Sequence, residues 1–181
     1  NPVLEKYEKK EILAIHQELM SRVVYIPSGS FFMGNKSGGD DEQPVRKIYL
    51  DGYYISKYEV TNEEYEKFVK ETNHAVPYLS KPEASLFNWD PLEKSFPAGT
   101  GNNPVVLVSW KDANEYCLWF SKKYNCTASL PSEAQWEKAA KGFKEIIYPW
   151  GNEKPAYNGK YRANFSIGTQ EIGRASCRER V

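Results

Sequence analysis

The sequence predicts an α+β fold of short strands, few helices and long ordered connections. Three features predict it. Three apolar-faced segments each begin at a hydroxyl residue with a Glu, Asp or Gln three positions on, the reciprocal arrangement that satisfies orphan N–H groups of a helix's first turn. Short runs rich in Tyr, Ile and Val are broken by turn residues such as Asp51-Gly52. Long Pro- and Gly-rich connections, the largest from Asn73 to Asn103, fit this class better than a doubly wound sheet.

Taken in order, Leu4 to Arg22 reads as a helix, because Ile12, Ile15, Leu19 and Val23 recur at spacings of three and four between charges. It is expected to be a packing or linker helix ahead of the domain. Val23 to Ile26 is a short β-type run. Pro27-Ser28-Gly29-Ser30 is a turn, and a second strand starts at Phe31 to Met33. Gly34 to Gln43, with Asp40, Asp41 and Glu42, is a solvated loop. Val45 to Tyr58 reads as two strands hinged at Asp51-Gly52.

The first capped helix starts at Thr61 with Glu64 and carries Tyr65, Phe68 and Val69 on one face. The second, with a weaker box of Ser109 and Asp112, carries Ala113, Tyr116, Cys117 and Phe120. The third starts at Ser132 with Gln135, carries Trp136, Ala139 and Ala140, and has Gly142 placed to stop it. Between the first two, Pro77, Pro82, Pro91 and Pro97 break an irregular stretch of a length that is often functional. Pro104 to Val108 is expected to be a buried strand. Trp110, Cys117, Phe120, Leu130 and Trp136 are expected to form one core cluster. Glu133 reads as a first-turn carboxylate favoured by the helix dipole, and Trp150, in Pro149-Trp150-Gly151, as a loop anchor.

The chain of 181 residues is long enough for one domain with a real core. Lys plus Arg equals Asp plus Glu, 24 each, so no global field draws it to nucleic acid. No apolar run approaches the roughly 20 residues of a membrane-spanning helix. Tyrosine, with 13 copies, suits loop-rich folds in which a ring is buried and its hydroxyl stays wet. Cys117, Cys126 and Cys177 contain no pair at metal-ligand spacing, and His16 and His74 are too few for a catalytic zinc site.

Residues 1–22 read as a helix or linker and 23–170 as a partial domain. Residues 171–181, Glu-Ile-Gly-Arg-Ala-Ser-Cys-Arg-Glu-Arg-Val, resemble a translated sequencing adapter and are expected to be a non-native tail. The first residue is Asn1 and not methionine, so the chain is expected to be a fragment at both ends.

Several segments together resemble the formylglycine-generating-enzyme (sulfatase-modifying-factor) family. Tyr25-Ile26-Pro27-Ser28-Gly29-Ser30-Phe31-Phe32-Met33-Gly34 resembles its opening strand pair, and Tyr58-Glu59-Val60-Thr61-Asn62 with Tyr65 and Phe68 its first helix. Pro104-Val105-Val106, Val108-Ser109-Trp110, Asp112-Ala113 and Tyr116-Cys117 resemble its central strand and helix. Leu130-Pro131-Ser132-Glu133-Ala134-Gln135-Trp136-Glu137 and Tyr148-Pro149-Trp150-Gly151 complete the set, in the family's order, from about Tyr25 to Asn164. Gln135, Lys138 and Phe143 depart from the common pattern and are expected to be surface or edge changes. The resemblance implies a C-type-lectin-like α+β fold, incomplete at its C-terminus.

It also implies a function: oxidation of a sulfatase cysteine to formylglycine, with oxygen and a copper ion held by two cysteines. Paired thiolates are soft ligands suited to Cu(I). In the family those cysteines lie in the C-terminal half, with Gly-Asn-Val-Trp-Glu-Trp and Arg-Gly-Gly-Ser-Trp signatures that this sequence lacks. No catalytic residue is therefore assigned, and the chain itself is expected to be inactive. Asn164 and Phe165 resemble the family's first calcium-ligand pair, a side-chain oxygen followed by a backbone carbonyl, although calcium wants six to eight oxygens and a loop Asn can equally bond its own backbone. Cys117 matches a position that in some members forms a structural disulfide; the competing reading is a buried thiol on a helix face. The implied partner is a sulfatase or another protein or peptide substrate. Two alternatives stay open. One is a non-catalytic binding or scaffold protein, lipoprotein-type, on the same fold. The other is an iron-dependent ergothioneine-type sulfoxide synthase, since His16-Gln17-Glu18 resembles part of a His-x-x-x-His-x-Glu motif; its first histidine is replaced by Ile12.

Overall fold

The structure is a computed structural model that describes residues 17–36, 38–144, 146–154, 156–157 and 160–162. Among them the chain divides into a first unit, residues 17–58 and 131–162, and a second unit, residues 59–130.

In the first unit, residues 17–22 are helical and lead into β1 (Val23–Ile26), followed by β2 (Gly29–Met33), β3 (Arg46–Leu50) and β4 (Tyr53–Ser56). β1 pairs antiparallel with β4, and β2 with β3. Both ladders share one register: Ile26 faces Tyr53, Gly29 faces Leu50, and Pro27-Ser28 fall opposite Asp51-Gly52. The four strands are thus one long hairpin with a lapse in its middle, where Pro27 has no N–H to give. Alternation sorts the inner pair of strands: Phe31 and Met33 are buried, while Phe32, Lys47 and Tyr49 face out. Helix α3 (Glu133–Lys141) packs on β2. A short ladder of β5 (Ala156–Tyr157) and β6 (Lys160–Tyr161) follows.

The second unit is built on α1 (Asn62–Thr72) and α2 (Trp110–Tyr124). Its core is aromatic: Tyr65, Phe68, Val69 and Trp89, flanked by Val60, Val76, Phe96, Val105, Val108, Tyr116 and Trp119. Tyr65 stacks on Tyr116 with ring centroids 5.6 Å apart and meets Trp89 edge-on at 6.1 Å, the two favoured aromatic geometries. Trp89 comes from the long Pro-rich connection, which therefore supplies core. The connection is held internally: the Trp89 N–H donates to the Pro77 carbonyl, and the Asn88 amide bonds Leu79 in both directions. The buried Asn62 anchors its far end by donating to the Thr100 carbonyl at 2.8 Å.

All three expected helix starts are present, each with its reciprocal box. Gly142 stops α3 at φ 67° with its N–H on the Lys138 carbonyl. Three expectations are corrected. Pro104 to Val108 is not a strand: it makes one bridge, Thr61 to Pro104, and Leu107 at φ 60° cannot continue extended chain.

The expected cluster of Trp110, Cys117, Phe120, Leu130 and Trp136 does not form, because Trp110 is 76% and Trp136 51% exposed. At about 100° per residue, Trp110 lies half a turn from the core-facing Trp119 on the same helix. On α3 Lys138 and Lys141 reach the hairpin, Ala134, Ala139 and Ala140 are half-buried, and Trp136 points away. Lys138 in consequence is no surface change: it is 1% exposed. Gln135 supplies the α3 capping box, and Phe143 is exposed.

Candidate functional site

The most developed polar cluster in the first unit gathers where α3 meets the lapse in the hairpin. Lys138 Nζ donates to the carbonyl oxygens of Pro27 at 2.8 Å, Gly29 at 3.0 Å and Leu50 at 3.5 Å. An ammonium has three protons, and here three carbonyls receive them, which offsets the cost of burying the charge. The same Nζ lies 5.3 Å from the centre of the Phe143 ring, in cation–π range.

Next to Lys138 in sequence, Glu137 Oε1 accepts from the Gly34 N–H at 2.8 Å and from Lys141 Nζ at 2.6 Å, while Lys141 Nζ also donates to the Gly34 carbonyl at 2.9 Å. Gly34 is held on both its backbone groups. It has φ 101°, and an added Cβ would stand 2.5 Å from the Glu42 carbonyl oxygen, so only glycine fits. Tyr53 donates its hydroxyl to the Gln135 carbonyl, and burial pushes its phenol up, keeping it a neutral donor. Beside this cluster lies an open cleft of about 170 Å³ that Phe32, Lys36, Val45, Lys141 and Asn152 help to line.

In the second unit, His74 places Nε2 3.0 Å from Asp112 Oδ1 and Nδ1 3.1 Å from Glu115 Oε2. The two carboxylates stand at opposite edges of the ring and do not converge on one point. Among the described residues no group of three or more His, Cys, Asp or Glu is placed to hold a metal ion.

Cys117 is half-buried on α2 and Cys126 is exposed just beyond it, and both are free. Burial pushes the Cys117 thiol up, away from the thiolate a soft metal requires. The residues described here therefore do not fit a copper pair. Asn164 and Phe165, the calcium candidates, lie outside the described residues, as do His16, Cys177 and the tail 171–181. Glu133 stands in the first turn of α3. Trp150 stacks on Tyr148 at 5.2 Å and donates its indole N–H to the Glu153 carbonyl, a loop anchor as expected. No helix among the described residues is long and apolar enough to cross a membrane.

Sequence reasoning missed both Lys138 and the His74 pair. A lysine in a stripe with alanines carries no local sign of burial. The three-residue spacing of Asp112 and Glu115 on one helix face was legible, but not which side chain meets them.

Comparison with known proteins places these features. Residues 9–179 match the family described as Sulfatase-modifying factor enzyme 1-like domain. The inactive C-alpha-formylglycine-generating enzyme 2 of Mus musculus is 32% identical over 179 residues, covering 81% of this chain and 56% of the relative. The formylglycine-generating enzyme of Thermomonospora curvata is 33% identical over 189 residues, covering 84% and 59%. Among solved structures, PvdO from Pseudomonas aeruginosa superposes with a TM-score of 0.55 at 27% identity, covering 66% of this chain and 46% of that one. The chain thus spans about half the length of the relatives it matches. The α+β fold of the formylglycine-generating enzymes, expected from the sequence, is the fold it has.

Proposed function

Because the chain belongs to the sulfatase-modifying factor enzyme 1-like domain family, we propose that it forms the scaffold part of a formylglycine-generating-type protein. In that protein a sulfatase cysteine is oxidised to formylglycine with oxygen and copper, and the copper thiolates come from sequence other than residues 17–162. The state of the thiols carries this reading: one is half-buried with its proton held on, and the other is exposed on the following turn. The half-length coverage of relatives named for the activity supports it. Within the chain, residues 1–22 serve as a packing or linker helix, 23–170 as the partial domain and 171–181 as a non-native tail. Asn164 and Phe165 begin a structural calcium site whose other oxygens come from elsewhere.

The test of the thiol assignment is a Cu(I) competition titration against a chromogenic chelator. Cys117→Ser and Cys126→Ser are each expected to leave the chain's Cu(I) affinity unchanged. A loss in both variants would identify a copper pair within this chain and overturn the scaffold assignment.

A second reading is a non-catalytic binding protein on the same fold. It is favoured by one observation: similarity to a relative named inactive, at 32% identity, is nearly that to a relative named for the activity, at 33%. The iron-dependent reading has less behind it, since Ile12 stands where its motif needs histidine.

A further inference from the structure

We propose that the cleft beside α3 is a small-molecule site for a short, branched aliphatic carboxylate. The ligand sets its carboxylate on Lys141 Nζ and its tail against Phe32, Val45, Ile146 and Ile147, all of which line the cleft. The cleft holds about 170 Å³ and is open to solvent. A cavity of roughly 150 Å³ accommodates a molecule the size of benzene, so an acid of about five carbons is of the right size.

Two chain segments frame the cleft, and local bonds set each of them. On one side, Gly34 to Lys36 follow β2, and the Asn35 N–H donates to the Glu42 carbonyl at 3.0 Å. On the other side, the chain after α3 folds back on itself. The Ile147 N–H donates to Asn152 Oδ1 at 2.9 Å, and Tyr148 and Gly151 exchange both backbone bonds. Walls that are formed before the ligand arrives spare the cost of ordering them.

The apolar part of the lining is left in water. Phe32 is 38% and Ile147 43% exposed, so a tail that covers them is drawn in by the burial of apolar surface on both partners.

Lys141 selects the head group. Its ammonium carries three protons, and among the described residues two acceptors take them, Glu137 Oε1 at 2.6 Å and the Gly34 carbonyl at 2.9 Å. The side chain is 12% exposed, so the remaining proton is offered in a partly desolvated place, where a charge-assisted bond is strong. Lys36 adds a second cation to the lining, and none of the described residues that line the cleft carries a carboxylate. This polarity rejects a cationic head group and favours an anion. One proton from an ammonium already paired with Glu137 suits a monoanion. A phosphoryl group, with about two charges and three strong acceptor oxygens, wants more donors than that. Neither Cys117 nor Cys126 lines the cleft, so the site does not depend on the copper reading.

The test is titration of the isotope-labelled 181-residue chain with isovalerate, followed by amide chemical shifts. Saturable shifts are expected at residues 32–36, 45 and 146–152. Acetate lacks the tail, and isopentylamine has a tail with the opposite charge. Each is expected to bind at least about tenfold more weakly than isovalerate. Lys141→Met is expected to weaken isovalerate binding by about tenfold or more, the loss of one charge-assisted hydrogen bond. The site is overturned by an absence of saturable shifts with isovalerate, by equal affinity for isovalerate and either control, or by unchanged affinity in Lys141→Met. Should Lys141→Met fail to fold, Ile147→Asp places a carboxylate on the lining from an exposed position and is expected to weaken isovalerate binding likewise. Unchanged affinity in that variant would overturn the site as well.

Discussion

Lys138 donates to the carbonyl oxygen of Pro27 at 2.8 Å, across 111 residues of sequence. The bond joins α3 to the place where the long hairpin lapses, and the same ammonium reaches Gly29 and Leu50 on the two strands beyond. A break that proline imposes on the ladder is bridged by a helix side chain. The two ladders on either side of it keep one continuous register.

Lys138→Met keeps the length of the side chain and removes its donors. It is expected to cost about 1–3 kcal/mol, the penalty of leaving buried carbonyls without partners. Urea unfolding measures it, and unchanged stability would show that the bridge contributes nothing.

The placement of the core is checked by three truncations. Phe68→Ala, at a position 2% exposed, is expected to cost about 3–5 kcal/mol. Trp110→Ala and Trp136→Ala are expected to fall within about 0.5 kcal/mol of wild type, as exposed positions do. The reverse order of effects would restore the cluster first expected around those two tryptophans.

Local signals were legible in the sequence and long-range ones were not. The starts at Thr61, Ser109 and Ser132 could be read because each box closes within four residues. Asp51-Gly52 marked the break between β3 and β4, but not that these strands pair with β2 and β1 instead of with each other. The inward face of α3 could not be read, since Lys138 is buried only by virtue of carbonyls far away in sequence. Trp89 looked like part of a loop because its core partners, Tyr65 and Phe96, close around it only in the fold. His74 gave no sign of its role for the same reason: its partners are 38 and 41 positions on and become visible only when α1 and α2 pack.

The two described thiols should differ in reactivity. Burial holds the Cys117 proton on, and the thiolate is the nucleophile. With iodoacetamide near neutral pH, Cys126 is expected to be alkylated first. Cys117 should accelerate only as pH rises toward its elevated titration. Equal rates, resolved by peptide mass spectrometry, would contradict that environment.

Removal of residues 171–181 is expected to leave the thermal midpoint unchanged, because that segment lacks the apolar periodicity of a packed element. A lowered midpoint would mean that the tail belongs to the fold.

The most direct measurement is turnover. Residues 1–170, supplied with Cu(I) and oxygen, are incubated with a sulfatase-derived cysteine peptide, and the peptide is followed by mass spectrometry. The scaffold assignment predicts no conversion to the aldehyde by this chain, and conversion by a longer protein that adds two further cysteines to it. Formylglycine formed by residues 1–170 alone would contradict that assignment and return the active site to the residues described here.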